Sequence, residues 1–503
     1  SRRSMGYRNL PGEELMVVIG CHPYIDVRNS FNSLIPADVD DSIAGKLVNA
    51  WLERLESNPE LHDKVEFEIV QSCIDFEFDK NYESRYKGVL SETQYTKYKT
   101  ALVRLTETNL SLHPDGSLMR AISAIRSLEN RQSAREVSAP HAGVAALSYA
   151  HTLIEECKTY GTLNFANIAR HAFIAEALLR SAVAQGAIHA DRVHSFKRSL
   201  RTITSNFADD YEKVVEKRLS QKDFMHKYGH LRPGTYDITS LRYDERIDLF
   251  SNAQLSEGTE PEASFKISSS EVLNITQLLR GAGIYSTDGE QLMTYARQAI
   301  AGREWAKFVF TRNLSDALVG LLQWGESEGL SRDDLSFLSW DKMTAVLGDP
   351  LLDHADRHFI SEAEDGRRAL RTAQALKLGY LLGDARDTRV IPLYRSAANF
   401  IGSGKIEAPV QVLDGRTTSE INLFGKIACI ENADPGFDWI FTKGIRGLIT
   451  KFGGTNSHMA IRCAEFNLSA AIGCGEQMYT RMSSCGSVLL DCDGKRLRPV
   501  YGE

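Results

Sequence analysis

The chain has 503 residues, 43% of them hydrophobic and 25% charged, with a formal net charge of −7. This length holds several cores and predicts a multidomain globular protein, while the negative balance argues against a nucleic-acid or polyanion binder. No apolar run approaches the ~20 residues of a membrane span, and Ser1-Arg2-Arg3-Ser4-Met5 lacks the apolar stretch of a secretory signal.

Residues 1–40 read as an extended segment. Met16-Val17-Val18-Ile19-Gly20 has the pattern of a buried strand closed by glycine, and Tyr24-Ile25-Asp26-Val27-Arg28 alternates as a second strand does. From 41 to 395 the dominant period is helical. Phe165, Ile168, Ala172, Ala175 and Leu179 line one face of a predicted helix over 164–183, and Ser315, Leu318, Leu321 and Leu322 line another. Within this body lies a Gly/Pro-bounded loop, Tyr228-Gly229-His230-Leu231-Arg232-Pro233-Gly234-Thr235-Tyr236-Asp237. Arginine clamps carboxylates through two parallel hydrogen bonds, and histidine or aspartate takes protons. His230, Arg232, Tyr236 and Asp237 are therefore candidate contacts for a small polar substrate, or else parts of a hydrogen-bonded interhelix turn. Arg28 with Asp26 is either a substrate pair or the solvent face of the second strand. His354 and His358 are four apart in Asp353-His354-Ala355-Asp356-Arg357-His358, but no motif places a third ligand, so a solvated helix face is the better reading.

Near residue 400 the texture changes. Ile401-Gly402-Ser403-Gly404-Lys405 lacks the first glycine and the Ser/Thr of a phosphate loop, and 396–409 is read as a hinge. Beyond it, short β-rich runs (410–413, 425–430, 447–450, 488–491) alternate with short helical segments (438–441, 457–466), predicting an α/β module over 410–503. Between 401 and 503 there are 11 basic and 11 acidic residues, so the negative balance belongs to the helical body. The eight cysteines form no C-x-x-C pair and read as reduced cytoplasmic thiols rather than zinc ligands.

The module carries the richest motif, Gly453-Gly454-Thr455-Asn456-Ser457-His458-Met459-Ala460-Ile461-Arg462. Glycines and small polar residues lead into an amphipathic helix, whose start favours phosphate. A histidine placed there can accept a phosphoryl group and pass it on. Gly453, Gly454, Thr455 and Ser457 are the candidate phosphate contacts, with Ser457 or Thr455 alternatively capping the helix.

Continued through Cys463-Ala464-Glu465-Phe466-Asn467-Leu468-Ser469-Ala470-Ala471-Ile472-Gly473, with Glu431–Phe437 upstream, this stretch resembles the phosphohistidine swivelling domain of the phosphoenolpyruvate-utilising enzymes. Asn467 stands where the family has glycine and Ser469 where it has proline. The Tyr228-Gly229-His230 loop, with Arg303-Glu304, Lys307-Phe308 and Thr311-Arg312, resembles the rifampin phosphotransferase branch. The overall pattern is similar to the L-glutamine kinase type of capsule phosphoramidate pathways. The resemblance implies several things together. His458 would be a phospho- or pyrophosphohistidine carrier, the helical body would bind a small acceptor, best matched by the amide of L-glutamine, and AMP and phosphate would be released. ATP and Mg²⁺ would be held mainly by an ATP-grasp domain that the resemblance places before residue 1, in the same chain or on a partner. Two alternatives stand beside this reading: a synthase-like or antibiotic-phosphorylating enzyme with another acceptor, and a binding protein that kept the fold without catalysis.

Overall fold

The computed structural model describes residues 2–10, 14–135, 142–200, 203–246, 250, 265–348, 355–376, 378–389, 398–415, 421–454 and 457–500. Thr455, and the His354 of the aspartate–histidine run, lie outside them. The architecture is a large helical body joined to a C-terminal α/β module, as the two hydrophobic periods predict.

The N-terminal segment forms a two-stranded antiparallel hairpin, β1 (Met16–Ile19) and β2 (His22–Ile25). Its strands are not buried; β1 is exposed throughout. The predicted second strand stops early because Asp26 accepts a hydrogen bond from the Asn29 amide and caps a helix over Val27–Asn32. Arg28 therefore lies on an exposed helical turn, where it donates to Asn49 at 2.8 Å. It is a surface contact of the body.

The body is organised on a 39-residue helix, Gly289–Ser327, started by a capping box between Asp288 and Gln291. It packs against Ser117–Ala134, Gly143–Glu156 and Leu163–Ala184. The last of these buries Ile168, Ala172, Ala175 and Leu179, the face predicted from its period. No helix among the described residues is long and apolar enough to cross a membrane.

The module is a seven-stranded mixed sheet of order β3-β7-β6-β5-β4-β8-β9. Its strands are β3 (Asn399–Ile401), β4 (Lys405–Val412), β5 (Ile427–Ile430), β6 (Gly447–Thr450), β7 (Ser469–Ile472), β8 (Ser487–Asp491) and β9 (Arg496–Val500). The central β4, β5, β6 and β7 are parallel, and their continuously buried apolar runs β5 and β6 fit that position. The sheet corrects the hinge expectation. Residues 399–401 pair with β7 and 405–412 pair with β5 and β8, so 401–405 is a turn inside the module. The glycines there serve the turn.

Body and module also meet in a shared core. Phe207, Tyr211, Phe224, Tyr228 and Tyr243 of the body share one core with Leu413, Phe437, Trp439, Ile440 and Met459 of the module. Each fully buried large side chain is worth roughly 1.5–3 kcal/mol on folding, and part of that burial is contact between body and module. The opposite face of the sheet has its own core, closed by the helix Gly475–Ser483.

Candidate active site at the docked interface

β6 leads through the glycine loop into the helix His458–Glu465, and β7 follows, so His458 sits beyond the carboxyl end of a parallel strand. Ser457 is the N-cap, accepting from the Ala460 amide at 3.4 Å. In this arrangement its hydroxyl serves the helix start. Gly453 has φ +126°, and an added Cβ would lie 2.7 Å from that of Ala433, so a side chain there is excluded twice over. Gly454 lies beside Asp63 of the body. The helix ends in a Schellman arrangement, Leu468 N–H to Cys463 O and Asn467 N–H to Ala464 O, with Asn467 at φ 49°. Asparagine performs the left-handed role that the family gives to glycine.

His458 is buried and held by two carboxylates. Nε2 lies 2.8 Å from Asp438 Oδ1 of its own module, in the 3₁₀ segment Pro435–Lys443. Nδ1 lies 3.3 Å from Glu304 Oε2 on the long helix of the body. Burial alone lowers the imidazole's proton affinity, but the Asp438 charge and hydrogen bond, with those of Glu304, overcome it and raise its pKa to about 9. Burial likewise opposes ionisation of Glu304, yet the His458 hydrogen bond and charge, with Arg303 and Lys307, hold that carboxyl at about 2. The docked histidine is thus an imidazolium with both ring nitrogens engaged.

Beside it the body and module enclose a cavity of about 40 Å³. Ile203, Phe207, Leu231 and Phe308 give it an apolar wall, and Glu304, Lys307, His230, Asp438 and His458 its polar one. Of the loop candidates, His230 is buried at this wall, edge-on to Phe308 at 4.8 Å. Neither of its ring nitrogens makes a hydrogen bond of normal geometry, and the Phe308 backbone is the group that favours its protonated form. Burial first, then the charges of Arg312, Arg242 and Arg232, push its pKa well below the usual histidine value, so the ring is neutral.

Arg232 also lines the cavity, but its guanidinium is committed to scaffolding. It donates to the Ser315 hydroxyl and carbonyl and to the carbonyls of Asp237 and Ser240, at 3.2–3.3 Å. The carboxylate-clamp expectation is corrected accordingly. Tyr236 is 66% exposed, and Asp237 accepts from Thr239 within its own turn. Neither lines the cavity. The loop instead seats the module: Thr235 donates to Asp434 at 2.7 Å and Tyr243 to the Gly436 carbonyl at 2.8 Å. Gly436 is packed so closely that an added Cβ would lie 1.6 Å from the Arg232 carbonyl oxygen.

Glu304, Lys307 and Asp438 were given no role by sequence reasoning. Glu304, Lys307, Thr311 and Ser315 recur at helical spacing along one side of an otherwise buried helix, a polar stripe that could have marked them. Asp438 has no such signal, since only the fold brings it to a histidine 20 residues later.

Comparison with known proteins agrees with this geometry. The family model described as "PEP-utilising enzyme, mobile domain" matches residues 424–495, which span β5 to β8 and include His458. What this match shows is a mobile domain of the kind found in PEP-utilising enzymes, over residues 424–495. It is similar to the rifampicin phosphotransferase of Bacillus subtilis (strain 168), 23% identical over 296 residues, covering 53% of this chain and 33% of that protein. The rifampicin phosphotransferase of Streptomyces sviceus is 23% identical over 329 residues, covering 59% of this chain and 35% of the relative. The chain thus spans about a third of the length of these curated relatives. The family-model match covers the mobile domain, and the identity to both proteins over the longer alignments is 23%.

Proposed function

We propose that this chain is the acceptor-binding and phosphocarrier portion of an ATP-dependent phosphotransferase, in which His458 carries a phosphoryl group to a small molecule held against the helical body. The observation that carries the reading is the burial of the motif histidine in a cavity made jointly by module and body, with a body carboxylate on one ring nitrogen. A histidine that worked only as a structural cap would have no need of a partner on another domain.

The roles follow from the contacts. His458 is the covalent carrier. Asp438 travels with the module and orients the ring, while Glu304 meets the ring only on docking. Lys307, a cation on the cavity wall, is placed to offset charge on the transferring group. With both nitrogens engaged, the docked form is the unloaded one, and loading requires Glu304 or Asp438 to give way. About 40 Å³ admits only two or three water molecules, so the acceptor enters when the module lifts.

The relatives are named for rifampicin, and the resemblance drawn above favours the amide of L-glutamine with release of AMP and phosphate. Both are carried as acceptors to be tested. ATP and Mg²⁺ belong, on this reading, to an ATP-grasp domain outside this sequence, in cis or as a partner. Among the described residues no group of three His, Cys, Asp or Glu side chains is placed to hold a metal ion.

The test supplies the nucleotide-binding domain of a relative in trans, with labelled ATP. Acid-labile, alkali-stable label on the chain, lost in His458→Asn, supports the reading; its absence, or equal labelling of the variant, rejects it. A thermal-shift screen with glutamine and rifampicin then separates the acceptors, because a ligand that binds only the folded state raises apparent stability.

A further inference from the structure

We infer that His230 accepts the proton of the acceptor's attacking O–H or N–H group as the phosphoryl group leaves His458, an inference that rests on the phosphocarrier reading above.

A buried polar group without a partner is uncommon and demands a reason. Both ring nitrogens of His230 lack a well-formed hydrogen bond, the side chain is buried, and it lines the same cavity as His458. Several other polar groups on the wall already have protein partners. The Ser315 hydroxyl donates to the His230 carbonyl and accepts from Arg232, the Thr311 hydroxyl donates to the Lys307 carbonyl, and Glu304 and Asp438 hold His458. Lys307 only donates. Among the described lining residues His230 is a neutral base whose ring nitrogens are not already given to a protein partner, so the acceptor it suits presents an uncharged hydroxyl or amide hydrogen.

The step balances without any further reactant. The acceptor O–H or N–H bond breaks, its proton going to the unprotonated nitrogen of His230. The acceptor's O or N forms a bond to phosphorus, and the N–P bond breaks with its electron pair returning to the His458 ring, whose other nitrogen keeps throughout the proton it donates to its carboxylate partner. A proton on His230, disfavoured by burial and by Arg312 and Arg242, then passes to His458, whose affinity is far higher. That leaves His230 neutral and His458 an imidazolium between Asp438 and Glu304, which is the docked state found here. The incoming phosphoryl dianion raises the basicity of His230 while transfer is under way, because a nearby negative charge favours the protonated ring.

The experiment loads the chain with ³²P-labelled phosphoramidate, removes the reagent, and follows discharge to water and to methanol, two O–H acceptors, from pH 6 to 9. The groups facing His230 are Glu304, Lys307 and Arg312 from the long helix, Arg232 and Arg242 from its loop, and Asp438 and His458 from the module. His230→Gln and His230→Asn are expected to load to the same extent and to discharge ~10²–10⁴-fold more slowly, the usual range for general-base catalysis. Equal discharge from equally loaded variants overturns the inference while leaving the phosphocarrier reading intact. Failure of wild-type chain to take label at His458 rejects that reading and this inference with it. Should the variants fail to fold, ¹⁵N-histidine spectra of the wild-type chain decide: one unprotonated His230 nitrogen at pH 7 is expected, and a doubly protonated ring overturns the proposal.

Discussion

Glu304→Gln removes one of the two carboxylates on His458 while keeping the shape of the side chain. The pair is well shielded, with side chains 8% and 12% exposed, so solvent screening is small. The rise of His458 from 6.5 to about 9 corresponds to roughly 3 kcal/mol at ~1.4 kcal/mol per unit. Asp438 supplies the leading part, so loss of Glu304 is expected to cost ~1–2 kcal/mol. The sign is fixed by linkage. His458, raised on folding, contributes fully below pH 6.5, and its contribution is lost as pH rises through 9. Glu304, depressed on folding, contributes above pH 4.5 and loses its contribution as pH falls through about 2. Both are fully expressed between pH 4.5 and 6.5. Urea unfolding of wild type and variant at pH 6, 8 and 10 should therefore show a difference of ~1–2 kcal/mol at pH 6 that shrinks or reverses at pH 10, where the wild type buries an unpaired carboxylate. NMR titration of His458 should move to lower pH in the variant. A pH-independent difference, or an unmoved titration, refutes the reasoning.

Gly436→Ala places a methyl against the Arg232 carbonyl and should destabilise docking by ~1–3 kcal/mol; small-angle scattering and hydrogen exchange over 230–246 should report a lifted module with an intact sheet. Arg232→Ala strips the donor from the Asp237, Ser240 and Ser315 carbonyls and should cost ~2–4 kcal/mol in chemical unfolding, with Arg232→Lys recovering only part because it lacks the planar fork. At position 467, alanine should destabilise by about 1 kcal/mol and glycine should not, since the residue is left-handed at φ 49°; thermal melts of the two variants check it.

The carrier histidine was legible because its information is local: glycines, a cap and a helix start lie within ten residues. The sheet was legible in its buried runs at 427–430 and 447–450. It was not legible at β3 or β9, which are short edge-region strands whose residues give little hydrophobic pattern, and Gly402 and Gly404 looked like a hinge because turn and linker share a composition. Asp26 shows the same limit, since a capping aspartate ended an alternation that otherwise read as strand. The acceptor side failed for a different reason. His230, Arg232, Tyr236 and Asp237 all have chemistry suited to a polar substrate, and chemistry alone does not say which side chains the backbone of their own loop consumes. The polar stripe on the long helix marks Glu304, but its pairing with His458 154 positions away, like that of Asp438 20 positions away, is encoded by no local pattern.

The most direct measurement is a peptide map, at alkaline pH that preserves phosphohistidine, of the chain loaded with labelled phosphoramidate and then chased with acceptor. The account predicts a single loaded site, His458, absent in His458→Asn, with the label moving from that peptide to the acceptor during the chase. Label on another residue, unchanged labelling of His458→Asn, or a phosphoryl group that stays on His458 in the presence of every acceptor including water would contradict it.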